Sequence, residues 1–468
     1  MRPDHGAGFY NVLRPRRRAG VWRNWAGDQA CTPTAVRAPA SIEEVAEHVH
    51  RASELGTTIK AVGSGHSFTG IALTDGIQLD MANLRGLLSV DSNLGRATFL
   101  AGTPLDAIPD LLAPFGLAME NLGDIDRQTL AGAVSTGTHG TGLGFGGIST
   151  QLTGLTLVNG LGDILNCSAT ENAELFRAAQ LGLGALGIIV TLTLQCVPAF
   201  RLHAVERREG LADVLDGFAD RVREEDHFEF YWFPHTAAAL TKTNTRRGLA
   251  SPDHRSGKGA RPLSPARRFV DDQLMSNVVF DGLNRVLAHG PALIPAANRI
   301  VSGMTGQREF TDLSHRVFAT VRTVRFREME FAVPLEAVPS VLLELDAMIE
   351  RRRLNISFPV EVRCAAADNI PLSTAFGRET GYIAIHSHVA APFLEYFREA
   401  QEIFRSHIGR PHWGKWHFMD YSMFSEVYPE LEKFCSLRDV VDPTLVFQNT
   451  YLDQILRPHP LGTGTRAE

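Results

Sequence analysis

The chain contains the stretch Thr58-Ile-Lys-Ala-Val-Gly63-Ser64-Gly65-His66-Ser67-Phe68, an apolar run that ends in small residues and one histidine. Glycines let the backbone come close to a ligand, and consecutive free N–H groups form an anion-binding concavity that suits a pyrophosphate. Phe68 occupies the place of the third glycine in the nicotinamide fingerprint, and no Walker lysine-serine pair follows. The loop alone favours a tight turn with a surface histidine. Its unusual feature is a nucleophilic imidazole, that of His66, inside a phosphate-type loop.

A helix–strand unit precedes this loop. Ser41-Ile-Glu-Glu44 is a capping box, and apolar residues then recur at helical spacing as far as Leu55-Gly56, which predicts a helix. The strand from Thr58 to Val62 follows at once, so the loop lies at the carboxyl end of a strand. Cofactor-binding loops commonly lie at such ends.

The composition is that of a soluble globular protein, since 44% of its 468 residues are hydrophobic and 21% are charged. This length predicts two or three domains. A net charge of -6 provides no basic field for nucleic acid. The five cysteines are scattered and lack the paired spacing of a zinc or redox site, which fits the reduced cytosol.

Two segments invite a targeting or membrane interpretation. Arg14-Pro-Arg-Arg-Arg18 is not followed by the apolar segment of a signal peptide, so residues 1–22 are predicted to be an N-terminal extension. The uncharged run from Leu181 to Phe200 approaches the length of a bilayer span. It opens with three glycines and then alternates from Ile188 to Gln195, which predicts a strand.

A second glycine-rich element extends from Gly123 to Gly142, with hydroxyl side chains between its glycines. Such a segment is predicted not to form a regular helix, and it offers small donors and a close backbone approach. A flexible linker is the alternative. The apolar residues Ala131, Ala133 and Val134 argue against a linker.

The pattern changes after Pro198, where amphipathic stretches begin near Leu211 and again from Val338 to Ile349. A domain boundary is expected there. The segment from Thr245 to Arg268 is rich in Arg, Ser, Pro and Gly, which predicts a mobile surface insertion.

The carboxyl-terminal third contains two polar constellations. Glu361 and Arg363 are two residues apart in a strand-like run, so their side chains share a face, although a surface ion pair is the alternative. The segment Arg410-Pro-His-Trp-Gly-Lys-Trp-His417 holds two histidines, two tryptophans and a lysine, a density that a surface does not require. No metal site is predicted, because no carboxylate or cysteine stands at ligand spacing from the histidine pairs His386/His388 and His412/His417.

In order and number, these motifs resemble the aldonolactone oxidoreductases of the vanillyl-alcohol-oxidase flavoprotein superfamily. That family includes gulonolactone and arabinonolactone oxidases, bacterial gulonolactone dehydrogenases and alditol oxidase. The resemblance covers nearly the whole chain and is strongest to the bacterial dehydrogenase type. It rests on Asn24-Trp25, Ala61–Phe68, Ser135–Gly142, Leu183–Ile188, His227–Pro234, Glu328–Glu330, Glu361–Arg363, His412–Lys415 and Phe447–Leu452.

The resemblance implies an α+β fold. A PCMH-type FAD-binding domain of two α/β subdomains would carry a cap domain, whose mixed or antiparallel sheet lies over the flavin. The expected divisions are an N-terminal extension at 1–22, the FAD-binding domain at 23–198, the cap or substrate domain at 199–411, and a C-terminal segment at 412–468 that returns to the FAD domain and the active site.

The same resemblance implies FAD as the cofactor. Backbone N–H groups of Gly63, Ser64, Gly65, His66 and Ser67 would hold its pyrophosphate, and His66 matches the residue that carries the flavin covalently in many members. Other residues would line the flavin or reach its adenine end, namely Ala133, Ser135, Gly137, Thr138, Gly142, Ile188, Ile189 and His412.

Four polar residues would face flavin and substrate, Glu361 and Arg363 from the cap and His412 and Lys415 from the returning segment. Arg363 and Lys415 would fix the substrate and stabilise anionic charge on reduced flavin. Glu361 would orient substrate hydroxyls or set the position of Arg363. The residue that accepts the hydroxyl proton stays open. Two further histidines have open roles, His386 and His388.

The expected function is oxidation of an aldono-1,4-lactone, of the L-gulono-1,4-lactone type, to an ascorbate-type product by hydride transfer to flavin N5. An alditol oxidase acting on an open-chain polyol is one alternative, and a non-catalytic flavin-binding protein is another. The electron acceptor would be O2, a redox protein or a quinone, so oxidase and dehydrogenase both stay open. A cytoplasmic protein without a nucleic-acid partner or transmembrane segment is expected.

Overall fold

The computed structural model describes residues 20–249, 261–264, 267, 277–304, 307–320 and 322–457. The amino-terminal unit starts with an antiparallel hairpin of two short strands, β1 (Trp22–Arg23) and β2 (Ala30–Cys31). A three-stranded parallel sheet and one helix follow. In chain order these elements are β3 (Ala35–Arg37), α1 (Ile42–Glu54), β4 (Ile59–Val62) and β5 (Ile77–Asp80), with β5 at the centre of the sheet.

Helix α1 begins where the capping-box sequence predicts it, although Glu44 Oε2 accepts from the Ala40 N–H at 2.8 Å rather than from the Ser41 N–H. Ser41 Oγ accepts a hydrogen bond from the Glu44 backbone N–H at 3.2 Å. The helix buries Val45, Val49 and Ala52 against apolar residues of β4 and β5. The loop after β4 therefore starts at the carboxyl end of a strand that a helix anchors, as predicted.

A five-stranded antiparallel sheet forms the second unit, in the spatial order β10-β9-β11-β7-β6, and β8 pairs with β12. The run from Leu181 to Phe200 contributes a strand to this sheet, as predicted. None of the helices in the described ranges combines the length and the apolar character that a bilayer crossing requires. The elements are β6 (Leu87–Asp91), β7 (Arg96–Leu100), α2 (Ile108–Leu112), β8 (Leu117–Ala118), α3 (Leu130–Thr136), β9 (Leu152–Val158), β10 (Ile164–Ser168), α4 (Ala173–Ala179), β11 (Ile188–Gln195) and β12 (Val197–Pro198).

The prediction that the second glycine-rich element is not a regular helix is wrong for its middle part, which forms α3. Thr129 Oγ1 accepts a hydrogen bond from the Gly132 N–H at 3.3 Å, and Gly137 ends the helix at φ +81°. Ala133 and Val134, two of the apolar residues that argued against a linker, are fully buried in the main core. Their burial outweighs the low helix propensity of Gly132, which costs about 1 kcal/mol relative to alanine.

Within the described residues the cap is one antiparallel sheet of eight strands, in the order β16-β13-β15-β14-β18-β19-β17-β20. Helices are inserted between its strands. Its elements are β13 (Phe200–Gly210), α5 (Leu211–Asp216), α6 (Phe218–Glu224), β14 (His227–Trp232), β15 (Ala238–Gly248), α7 (Phe280–His289), α8 (Ile294–Met304), β16 (Arg308–Leu313), α9 (Ser314–Phe318), β17 (Phe326–Pro334), α10 (Val338–Arg352), β18 (Val360–Ala365), β19 (Thr380–His388), α11 (Leu394–Ser406) and β20 (Arg410–Pro411).

The predicted amphipathic stretch from Val338 is helix α10, and the strand carrying Glu361 and Arg363 is β18, as predicted. The predicted insertion from Thr245 to Arg268 is wrong at its start. Strand β15 continues to Gly248, because every residue from 238 to 248 pairs with β13 and so satisfies its backbone in the sheet. The part of that insertion at 250–260 lies outside the described residues.

Three helices near the end of the described residues, α12 (Tyr421–Val427), α13 (Leu431–Val441) and α14 (Thr450–Leu456), return to the amino-terminal unit. The Ile59 N–H of β4 donates to the Val446 carbonyl at 2.8 Å. Asn449 caps α14, because its Oδ1 accepts from the Leu452 N–H at 2.9 Å. Its Nδ2 lies 2.8 to 3.1 Å from three carbonyl oxygens in the turn at 70–73. One side chain thus ties the returning segment to the turn that follows the glycine loop.

Replacing Asn449 by alanine removes both the helix cap and the donors to the three carbonyls. We expect Asn449→Ala to lower the free energy of unfolding by about 2–3 kcal/mol. Ser41→Ala removes a helix cap alone and should lower it by about 1 kcal/mol. Urea unfolding followed by circular dichroism measures both variants. Equal losses would contradict the tie between the two segments.

Candidate active site

The loop after β4 is folded tightly against the amino terminus of α3. A Cβ atom at Gly63 would lie 2.2 Å from Thr129 Oγ1, and Gly65 has φ +68°, in the left-handed region that favours glycine. The two glycine-rich elements of the sequence therefore meet, one through a glycine and the other through the residue that caps α3. This close approach leaves room for a ligand beside the loop backbone.

Two cavities meet at this loop. The smaller, of about 140 Å³, extends from the loop to β11, and the larger, of about 700 Å³, is walled by strands of the cap sheet. His66, Ser67, Gln128 and Thr136 line both cavities. Of the other predicted site residues, the smaller cavity is lined by Gly63, Ser64, Gly65, Ser135, Ile188 and Ile189, and the larger by Thr138, Glu361, Arg363, His412 and Lys415.

Three residues that were predicted to line the flavin lie away from both cavity walls. Ala133 is fully buried in the core. A Cβ at Gly137 would lie 2.9 Å from Leu181 Cδ1, and a Cβ at Gly142, where φ is +127°, would lie 2.5 Å from the Asp226 carbonyl oxygen. These residues allow the glycine-rich element to pack closely, and their contact with FAD stays a prediction.

The half-buried side chain of His66 lies where the cavities join. Its Nε2 is shielded from solvent and has no hydrogen-bond partner among the described residues. Its ring stacks on Trp25, with centroids 5.5 Å apart and planes inclined by 23°. Burial, with the nearby cations Lys415 and Arg127, lowers the pKa of His66 to about 4, so the imidazole is neutral at physiological pH.

Arg363 lies among three carboxylates in the wall of the larger cavity. Its Nε donates to Glu229 Oε2 at 3.0 Å, and its Nη2 pairs with Glu361 Oε1. The same Nη2 lies 3.5 Å from Asp124 Oδ1. Because ionised groups are costly to bury alone, this pairing keeps the guanidinium charged inside the protein.

Two further cations balance these carboxylates. Lys242 Nζ lies 3.1 Å from Glu229 Oε1, and Arg322 Nη2 donates to Asp124 Oδ2 at 3.3 Å. Burial opposes ionisation of Asp124, but Arg363 and Arg322 outweigh it and hold the pKa of this carboxyl well below its usual range. Burial likewise opposes ionisation of Glu229, and Lys242 and Arg363 lower its pKa. Both carboxylates are therefore ionised at neutral pH.

Glu361 differs from these two neighbours. Burial raises its pKa to about 7, since the attraction of Arg363 is offset by repulsion from Asp124 and Glu229. Its Oε1 accepts a hydrogen bond from the Tyr231 hydroxyl at 3.2 Å. This carboxyl group therefore exchanges a proton near neutral pH, which is a property of general bases.

A second charged cluster of the larger cavity centres on Lys415. Its Nζ pairs with Glu328 Oε2, and His386 Nε2 lies 3.6 Å from Glu328 Oε1. Burial disfavours the charge of Lys415, but Glu328 and Glu330 outweigh it and raise its pKa. Burial also opposes protonation of His386, and the nearby Glu328 carboxylate raises the pKa nonetheless. Lys415 is therefore a fixed cation of the cavity.

His139 and His412 both contact Glu330. His139 Nε2 lies 3.2 Å from Glu330 Oε1, and the His412 backbone N–H donates to the Glu330 carbonyl at 2.9 Å. The Gly414 N–H donates to His412 Nδ1 at 3.1 Å, and burial lowers the pKa of His412 to about 4. His412 is therefore neutral with its proton on Nε2, which makes it a hydrogen-bond donor. The side chains of His139, Glu330 and His412 bring atoms that could ligate a metal within 4.8 Å of one another. We assign no metal to them.

Sequence analysis did not predict most of the charged wall. Strands β14 and β17 carry a usable signal, because each has two polar residues at alternate positions of a largely apolar run, Glu229 and Tyr231 on β14 and Glu328 and Glu330 on β17. Loop residues carry no periodic signal. Of the two histidines whose roles the sequence left open, His386 lines the larger cavity, whereas His388 Nε2 lies 3.1 Å from Asp281 Oδ1 outside it. Sequence analysis assigned no role to Asp124, His139, Glu229, Tyr231, Lys242, Arg322, Glu328 and Glu330.

Two family models match this chain. An FAD binding domain model matches residues 33–168, and a D-arabinono-1,4-lactone oxidase model matches residues 192–455, which is more than half of the chain. The chain belongs to the aldonolactone oxidoreductase family. The first match contains the glycine loop, and the second contains Glu361, Arg363 and Lys415.

Relatives of this aldonolactone oxidoreductase agree with that assignment. L-gulono-1,4-lactone dehydrogenase of Mycobacterium tuberculosis is 40% identical over 441 residues, which cover 94% of this chain and 99% of that protein. L-gulonolactone oxidase of Bos taurus is 34% identical, with 93% and 98% covered. Among solved structures, cholesterol oxidase from B. sterolicum matches with a TM-score of 0.79 and 19% identity, covering 98% of this chain and 99% of that one. This last likeness shows the fold, which confirms the predicted α+β PCMH-type architecture.

The cavities fit FAD, the cofactor of this aldonolactone oxidoreductase. Gly63 and Gly65 bring the loop backbone to the wall of the smaller cavity, as a pyrophosphate requires. The larger cavity adjoins it at His66, whose shielded Nε2 has no hydrogen-bond partner among the described residues. The smaller cavity would take the pyrophosphate and adenine end of the dinucleotide, and the larger cavity would leave room for a substrate beside the flavin.

A side chain at Gly63 should prevent the loop from closing on α3. An alanine Cβ at position 63 would lie 2.2 Å from Thr129 Oγ1 and overlap it. We therefore expect Gly63→Ala to lower the affinity for FAD about tenfold or more. The flavin-to-protein absorbance ratio of the purified chain measures the loss. Gly144→Ala is the control, since nothing lies within 4 Å of a Cβ there. Unchanged flavin content in Gly63→Ala would contradict the tight contact.

Proposed function

We propose that this aldonolactone oxidoreductase oxidises an aldono-1,4-lactone of the L-gulono-1,4-lactone type to an ascorbate-type product, with FAD as the hydride acceptor. The observation that carries the proposal is the charged wall of the larger cavity, where Glu361, Arg363 and Lys415 share one compartment with His66. The names of two relatives, L-gulono-1,4-lactone dehydrogenase and L-gulonolactone oxidase, support the substrate class.

Arg363 and Lys415 supply fixed positive charge in this proposal. When bound, FAD takes the hydride from the substrate carbon. The two cations are already held by Glu229, Glu361 and Glu328, so they need not reorganise when negative charge develops beside them. In a compartment shielded from water such preorganised charges act strongly. They also orient the lactone by hydrogen bonds to its oxygens.

Glu361 accepts the proton of the substrate hydroxyl. The other candidates are less suited, because Lys415 is held protonated, the pKa of His386 is raised by Glu328, and His412 carries its proton on Nε2. Arg363 and Tyr231 fix one oxygen of the Glu361 carboxylate. Its raised pKa makes it basic enough to take a proton near neutral pH.

FAD is attached covalently through His66. A neutral imidazole keeps a lone pair and acts as a nucleophile, and the shielded Nε2 is available to a ligand. Backbone N–H groups from Gly63 to Ser67 hold the pyrophosphate, with Ile188 and Ile189 at the adenine end of the smaller cavity. Ser135, Thr138 and His412 contact the flavin.

The enzyme acts in the cytoplasm and passes its electrons to O2, a redox protein or a quinone. All five cysteines are free thiols, as expected of a reducing compartment. Reoxidation of the reduced protein by air or by a quinone-type dye distinguishes the acceptors.

L-Gulono-1,4-lactone should bleach the flavin without oxygen and show a kcat/KM about tenfold or more above that of xylitol. The reason is that a ring presents its hydroxyls in one geometry, whereas an open-chain polyol loses rotational freedom on binding. Steady-state turnover and anaerobic absorbance measure both. Faster turnover of xylitol would assign the chain to alditol oxidation. Failure of every lactone and polyol to bleach the flavin would indicate a non-catalytic flavin protein.

The rate of flavin reduction should rise with pH with a midpoint near pH 7 and level off at higher pH, because Glu361 must lose its proton before it accepts another. Glu361→Gln should lower the rate about 100-fold or more and remove this midpoint. Glu379→Gln, at a half-exposed carboxylate paired with Arg223, should keep the wild-type profile. Stopped-flow absorbance measures the profiles. The same midpoint in Glu361→Gln would exclude Glu361 as the proton acceptor.

A further inference from the structure

The tip of the β1–β2 hairpin, residues 24–29, holds the glycine loop on both sides of His66. The Trp25 N–H donates to the Gly65 carbonyl at 2.7 Å. Asn24 Nδ2 donates to the Ser67 carbonyl at 3.0 Å. The main chain immediately before and after the histidine is therefore fixed by one short element that belongs to neither glycine-rich segment.

The indole of Trp25 also sets the plane of the imidazole. It covers one face of His66 in a stacked arrangement, with centroids 5.5 Å apart. The indole is buried and is itself wedged by Phe326 and Phe68, whose rings meet it edge-on at 5.4 Å and 6.3 Å. With its backbone bonded and one ring face covered, the imidazole has little freedom to turn.

The hairpin tip has a rigid base. Asp28 Oδ1 accepts a hydrogen bond from Asn24 Nδ2 at 2.8 Å. Its Oδ2 accepts from Trp416 Nε1 at 3.2 Å and lies 3.4 Å from Arg327 Nε. The tip is thus tied to β17 and to the returning segment, which carries Lys415. The element that orients His66 is fixed to the same frame as the charged wall of the larger cavity.

We propose that Trp25 is a positioning residue that presents His66 for covalent attachment of the flavin. This inference rests on the proposed link through His66. In that step a ring nitrogen of His66 forms a bond to a flavin carbon, which loses a C–H bond. The C–H proton and the proton of the other ring nitrogen leave to water. The two electrons stay on the flavin until the electron acceptor of the enzyme, O2 or a quinone-type oxidant, removes them.

The stacking matters for attachment rather than for FAD binding. Bond formation requires the nitrogen lone pair to point at a carbon about 3–3.5 Å away, and a freely turning imidazole spends little time in that geometry. The pyrophosphate, in contrast, is held by backbone groups of the loop, which the indole ring does not supply. Loss of the ring should therefore slow attachment while FAD still binds.

The test compares attached with released flavin in five full-length proteins, namely the wild type, His66→Ala, Trp25→Leu, Trp25→Phe and Cys31→Ala. Acid precipitation leaves attached flavin in the pellet and frees the rest into the supernatant. Total flavin per chain is measured before precipitation. Trp25→Leu keeps the apolar volume without a flat ring, and Trp25→Phe restores a smaller ring. Cys31→Ala, in the same hairpin on β2, is the matched control.

We expect the wild type and Cys31→Ala to keep their flavin in the pellet and His66→Ala to release it. Trp25→Leu should bind FAD but show an attached-to-released ratio about tenfold lower, and attachment should continue slowly when it is incubated with FAD and oxidant. Trp25→Phe should fall between it and the wild type. A wild-type ratio in Trp25→Leu and Trp25→Phe would overturn the positioning role, as would loss of total FAD in both. Release by the wild type would instead overturn the covalent link, and this inference with it, while leaving FAD-dependent lactone oxidation intact.

Discussion

The loop from Gly63 to Phe68 is held by three segments that are distant from it in sequence. The β1–β2 hairpin binds it on one side, and the cap of α3 contacts Gly63 on another. On the third, the Phe68 N–H donates to the Gly414 carbonyl at 2.7 Å. Gly414 also fixes His412, and Lys415 follows it. The loop that suits a pyrophosphate and the segment that carries Lys415 are consequently one hydrogen-bonded unit.

The larger cavity concentrates charge where burial makes charge costly. An ionised side chain moved out of water loses several kcal/mol unless partners compensate, and the two clusters supply such partners for Arg363 and Lys415. Glu361 is the exception, because its neighbours Asp124 and Glu229 repel its negative charge as Arg363 attracts it. The network thus holds two cations and leaves one carboxyl group with a pKa near neutral pH. Such an arrangement is well suited to moving a proton beside a hydride acceptor.

Local patterns predicted those parts of the fold that depend on local contacts. The capping box gave helix α1, alternation gave strand β11, and residues two apart placed Glu361 and Arg363 on one face of β18. Prediction failed where burial or pairing overrode composition. Helix α3 forms despite Gly132 because Ala133 and Val134 enter the core, and β15 extends through a polar run because β13 pairs with it.

The order of motifs along the chain was sufficient for the family, the cofactor and the fold class, because a glycine loop, a capping box or a strand needs only neighbouring residues. The charged wall needed the folded chain. Glu229, Lys242 and Asp124 surround Arg363 from β14, β15 and a loop, and their meeting depends on strand register and on packing between units. The same holds for Trp25 and His66, since stacking of two rings 41 positions apart follows from main-chain hydrogen bonds between a hairpin tip and a loop. No pattern within either segment encodes that contact.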